Sequence, residues 1–158
     1  MQGRISRRTV LWGAPAMLWL ILLFALALMP GGDSGRMSLW VTDLLLPWLR
    51  RLGATEEGLH HAVRKLAHFG GFALEGFLLL GTLRTVLSPR RAFAAGAAAC
   101  TLFAAANEFA QNFAADRGPS IADVGIDFAG ALLGMALCAA VLHAFSAPKR
   151  QIRHKEQG

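Results

Sequence analysis

Nine polar side chains interrupt otherwise apolar stretches: Lys65, His68, Glu75, Asn107, Glu108, Gln111, Arg117, Asp123 and Asp127. A charged side chain in hydrocarbon costs on the order of 3 kcal/mol by insertion scales, so each needs a partner or a function. Helical spacing sorts them into stripes. Lys65 and His68 are i,i+3, with Glu75 at i,i+7 from His68; Asn107 or Glu108 meets Gln111 at i,i+4 or i,i+3; Asp123 and Asp127 are i,i+4. The last stripe continues through Gly130 and Gly134, a small-xxx-small pattern that lets a neighbouring helix backbone come close. The stripes are therefore expected to meet around one polar pocket.

These residue types suit binding first. Lys65, Arg117 and a protonated His68 would meet a phosphate or carboxylate, while Glu75, Glu108, Asp123 and Asp127 hold them in place and keep the cluster near neutrality. Asn107 and Gln111 serve equally as ligand contacts or as interhelical hydrogen-bond partners. Glu75 either joins the pocket or pairs with His68 to neutralise itself. A catalytic version of the same set takes His68, Glu108 and Asp123 as candidates. His68 or Glu108 would be the general base, Asp123 and Asp127 the orienters or metal ligands, and Lys65 or Arg117 the stabiliser of anionic charge. Ser120 is the one hydroxyl beside the cluster, so water would have to be the nucleophile. One His with three carboxylates is a weak metal signature, and neither metal nor cofactor is expected. Proton-coupled transport ranks below both, since four helices are few and no repeat is visible. In the plainest reading the polar groups only fasten the bundle or its oligomer.

The elements that must carry these residues follow from composition. The chain has 158 residues, 54% of them apolar and 16% charged, with no Tyr and 17 Gly, and its mean hydropathy is +0.43. A soluble domain carries about 25% charged residues. The balance excludes disorder, a disulfide-stapled module and a coiled coil. The +6 charge is scattered among apolar runs, which argues against a nucleic-acid partner. Cys100 and Cys138 sit in apolar runs with no metal-type spacing and read as packing residues.

The expected fold is an all-α membrane protein: one domain forming a bundle of four transmembrane helices at about 9–29, 66–87, 92–114 and 121–145. Pro30-Gly31-Gly32, Ser88-Pro89 and Arg117-Gly118-Pro119 separate the spans. The first span is too long for a signal-peptide core and is expected to stay uncleaved. The outer loop 30–65 contains Met37–Leu49, apolar but too short to span, with Trp40 and Trp48 suited to the headgroup region; it predicts a short interfacial or re-entrant helix. With the N-terminus inside, ten Lys and Arg fall on the cytoplasmic side and six on the other, so both termini are expected inside, with 146–158 as a cytoplasmic basic tail. His60 and His61 then belong to a solvated loop, His143 to the interface, and eight of the nine polar candidates to the outer end, with Glu75 deeper in the membrane.

Arg64-Lys65-Leu66-Ala67-His68-Phe69, then Asn107-Glu108-Phe109-Ala110-Gln111, then Arg117 followed by Asp123, Asp127, Gly130 and Gly134, resemble the VanZ-like family of small bacterial membrane proteins over about residues 60–135. In that family's pattern Lys-x-x-His-Phe opens one helix, an acidic-Glu-x-x-Gln closes the next, and an Arg, an Asp and an Asn-x-x-Gly follow. This chain has Asn107 where the family usually has an acid and Asp127 where it usually has Asn, so the charge is kept; positions 107 and 127 are expected to be neighbours sharing one carboxylate. Many relatives carry Glu at the position of Gly71, for which Glu75, one turn on, stands in. The founding member lowers susceptibility to the lipoglycopeptide teicoplanin. The resemblance thus implies a multi-pass protein of the bacterial plasma (inner) membrane whose outward polar pocket binds a lipid-linked or cell-wall headgroup, or a glycopeptide. The alternative is a membrane-embedded hydrolase or transferase acting on a lipid-linked envelope substrate. Expected partners are membrane lipids, a lipid-linked cell-wall precursor or a glycopeptide, and a second copy of the chain.

Overall fold

The computed structural model describes residues 6–50, 53, 55–115 and 118–146. Its helices begin where the chain supplies caps. Ser6 Oγ accepts the Thr9 N–H at 3.1 Å to open α1 (Arg7–Ala27). Pro30 precedes α2 (Gly31–Leu49), and Thr55 Oγ1 accepts the Gly58 N–H at 3.2 Å to open α3 (Glu56–Leu83). Ser88 and Pro89 start α4 (Pro89–Ala110), which tightens into a 3-10 turn at Gln111–Phe113 before α5 (Ile121–Ser146). Four of these, all but α2, are long and apolar enough to cross a membrane, and no strand occurs among the described residues.

The boundaries differ from the sequence expectation at the first connection. The second span begins at Glu56 rather than near Leu66, because Thr55 caps it and Glu56 and Glu57 in its first turn complement the helix dipole. The short helix begins at Gly31 rather than Met37. Most of 30–65 is thus helical, and α3 carries His61, Arg64 and Lys65 as part of one rigid element with His68. On α2, Trp40 and Trp48 are 71% and 78% exposed and share a stripe with exposed Leu44, while Thr42 and Leu46 are buried. The helix therefore turns one face to the bundle and an aromatic ridge away from it.

α3 and α5 run in parallel and make the most extensive helix contact. Their backbones touch where side chains are absent: a Cβ at Gly130 would meet the Phe69 carbonyl, one at Gly134 the Ala73 carbonyl, and one at Gly76 the Ala131 carbonyl. α1 runs antiparallel along the C-terminal half of α3. Thr9 and Thr85 hydroxyls hydrogen-bond at 2.9 Å, the Trp12 ring covers Gly81, and Trp19 Nε1 donates to the Gly71 carbonyl at 2.8 Å. Between the helices are two apolar layers, one of Leu80, Ala92, Met135 and Cys138, the next of Phe72, Cys100, Ala104 and Ala131. At the end beyond the second layer, the Gly31 N–H donates to the Ala115 carbonyl at 2.8 Å and ties two interhelical connections together.

Candidate functional site

At that same end the three polar stripes converge. α3 and α5 are held in parallel register by their glycine contacts, so residues about 55 to 61 apart in sequence come opposite each other. Lys65 Nζ donates to Asp123 Oδ1 at 2.5 Å, and one helical turn deeper His68 Nδ1 lies 3.1 Å from Asp127 Oδ1. α4 arrives from the opposite direction and places Glu108 Oε1 3.9 Å from the same His68 nitrogen. His68 therefore sits between two carboxylates from two helices.

Glu108 is fixed from both sides. Its Oε1 accepts Gln111 Nε2 at 2.6 Å, inside the 3-10 turn, and its Oε2 accepts the Ser120 backbone N–H at 3.0 Å. Ser120 also caps α5, its Oγ accepting the Asp123 N–H at 3.3 Å. It acts as a clamp joining α4, α5 and two acidic residues, a role that reading it only as a potential nucleophile misses. The signal is in the sequence: Ser120 three residues before Asp123 is a helix-start pattern.

Of the expected pocket residues, Lys65, His68, Glu108, Gln111, Asp123 and Asp127 form this connected network. Asn107 is buried and lines the adjoining cleft with His68 and Gln111. Arg117 lies outside the described residues. Glu75 does not join: it is buried about two turns, on the order of 10 Å, deeper along α3, and His68 makes its ion pairs with Asp127 and Glu108 instead. Two acceptor oxygens of the network, Asp127 Oδ2 and Gln111 Oε1, and Asn107 Oδ1 beside it are buried with no hydrogen-bond partner among the described residues, as is Glu75 Oε2 below.

Two cavities open beside the cluster. One, about 260 Å³, is an apolar cleft between α1, α2, α3 and α4, lined by residues such as Leu23, Leu26, Val41, Val63 and Phe72. The other, about 290 Å³, is polar and lined by His61, Arg64, Lys65, Ser120 and Asp123. Arg64 and His68 line both. Leaving Arg64 out of the pocket and assigning His61 to a solvated loop overlooks this pair, since the sequence expectation starts the helix near Leu66 rather than at Glu56. The Thr55-Glu56-Glu57 cap is the signal that would have found them.

A basic mouth, an acid-held His and an apolar cleft can receive an anion attached to a hydrocarbon tail. Comparison with protein-family models gives a match to VanZ/LLP1 over residues 12–143, well over half of the chain and wider than the motifs alone, taking in α2 and most of α1. The chain belongs to that family. No curated protein and no solved structure matches it.

Proposed function

Taking VanZ/LLP1 membership as the premise, we propose that this membrane protein binds a lipid-linked envelope headgroup, an anionic phosphate-bearing group on a long hydrocarbon chain, at the outward-facing end of its bundle. The observation that carries the reading is the meeting of the apolar cleft and the basic cavity at Arg64 and His68. Arg64, His61 and Lys65 supply charge-assisted hydrogen bonds to phosphate oxygens. The cleft between α1 and α4 takes the first segments of the tail, and the network of Asp123, Asp127 and Glu108 holds the cationic side chains at their stations. The excess of Lys and Arg around the opposite end supports this outward orientation, with both termini on the cytoplasmic side of the plasma membrane. Occupying a cell-wall lipid in this way would lower teicoplanin susceptibility, as the founding member does.

The test is teicoplanin and vancomycin susceptibility of a sensitive Gram-positive host expressing wild type, Lys65→Ala, His68→Ala, Glu108→Gln and Asp123→Asn, with membrane levels checked by immunoblot. The account expects protection from wild type and none from equally abundant variants. Absence of protection by abundant wild type removes the resistance phenotype from the reading. A second reading, hydrolysis or transfer at the lipid-linked phosphate, is favoured by one feature: the His68–Asp127 contact at 3.1 Å resembles a base and its orienting carboxylate. Turnover lost in Glu108→Gln or His68→Ala with lipid binding retained would select it.

A further inference from the structure

We infer that His68, Glu108 and Asp127 form a binding site for a divalent metal ion. One ligand atom from each, an imidazole nitrogen and two carboxylate oxygens, lies within 4.8 Å of the other two. Bonds of about 2.0–2.2 Å to a shared ion place ligand atoms roughly 3–4 Å apart. Two of the three edges already have that length, 3.1 Å from His68 Nδ1 to Asp127 Oδ1 and 3.9 Å from His68 Nδ1 to Glu108 Oε1. The three ligands come from α3, α4 and α5, so the ion would bolt together the helices that converge at this end.

Acidic residues near a histidine are common, and a second observation distinguishes this cluster. Two buried acceptor oxygens in it or touching it lack donors among the described residues, Oδ2 of the fully buried Asp127 and Oε1 of the fully buried Gln111. Gln111 touches the cluster directly, since its Nε2 donates to Glu108 Oε1 at 2.6 Å. That bond also fixes the amide orientation, because the flipped form would set an oxygen against a carboxylate oxygen. Each unmet acceptor in a buried site is costly. Among the described residues the cluster has a surplus of oxygen lone pairs over nearby positive charge: Lys65 pairs with Asp123, leaving Glu108 and Asp127 with His68. A divalent cation supplies charge and accepts lone pairs together. Glu108 has lone pairs to spare beyond its bonds to Gln111 and Ser120. One imidazole nitrogen among carboxylate and amide oxygens suits Mn²⁺ or Zn²⁺.

This inference stands on the side-chain cluster and not on the lipid reading, so it is tested in detergent without added lipid. The full chain, purified with a removable tag free of histidine and stripped with chelator, is titrated with MnCl₂ and with ZnCl₂, and bound metal is measured after desalting. The expected result is one equivalent per chain, abolished by His68→Ala and by Asp127→Asn and retained by Asp43→Asn and His143→Ala. A saturable rise of the wild-type unfolding temperature with metal, absent with NaCl, reads the same site without any substitution that affects folding. No bound metal and no thermal shift overturns the proposal. So does metal that survives both cluster substitutions in folded protein, or that disappears with His60→Ala/His61→Ala.

Discussion

The ion pair between Lys65 and Asp123 is short, yet Lys65 keeps a third of its side chain exposed, so water screens it. Its coupling in a double-mutant cycle of Lys65→Ala and Asp123→Asn is expected at about 1 kcal/mol or less, measured by thermal unfolding in detergent. A coupling several times larger would mean the pair is sealed from solvent. Ser120 is the more consequential contact, because its Oγ caps α5 while its N–H binds Glu108. Ser120→Ala removes the cap and is expected to cost about 1 kcal/mol, whereas Ser120→Thr keeps it; equal unfolding temperatures for the two variants would contradict the cap. The exchange of acid and amide between positions 107 and 127 gives a third expectation. If the proposed teicoplanin protection holds, Asn107→Asp combined with Asp127→Asn restores the protection that either change alone removes, and a double variant no better than the singles refutes the sharing of one carboxylate.

Much of the polar cluster was legible in the sequence at the level of stripes, because a helix repeats its faces every three or four residues and polar groups in apolar runs are few. The α3–α5 approach was legible too, through Gly130 and Gly134. Their Cβ atoms would strike the carbonyls of Phe69 and Ala73, whereas Gly125 on another face of α5 has open space. Gly134→Ala is therefore expected to cost about 1–3 kcal/mol, while Gly125→Ala is neutral or gains up to about 1 kcal/mol of helix propensity. The reverse order of unfolding temperatures would show that α3 and α5 do not pack at these glycines. What apolar periodicity could not show was the polar beginning of α3. A hydropathy reading starts a span at its first apolar turn, whereas the helix starts at its cap, and Thr55 with Glu56 and Glu57 lies ten residues earlier than Leu66. Glu75 stays apart from the cluster because sharing a stripe with His68 sets the direction of its side chain but leaves it two turns deeper.

For the whole molecule, four long apolar helices form a membrane bundle whose polar network is gathered at one end. Which side of the membrane that end faces is an argument from Lys and Arg asymmetry, and it predicts labelling. Cys100 and Cys138 are both free and buried, so background reaction with an impermeant maleimide is low. Gly118→Cys is expected to label on intact cells and Arg90→Cys only after permeabilisation; the opposite pattern would turn the polar end inward and remove access to outward-facing headgroups. The central claim is that this end holds an anionic headgroup with its hydrocarbon tail in the neighbouring cleft. Its most direct test is binding of a long-chain prenyl phosphate, against the corresponding uncharged alcohol, to the purified protein in nanodiscs. The account predicts saturable binding of the phosphate, little of the alcohol, and a loss of about tenfold or more in Arg64→Ala and Lys65→Ala as charge-assisted bonds disappear. Equal binding of phosphate and alcohol, or phosphate binding unchanged in both variants, would contradict it.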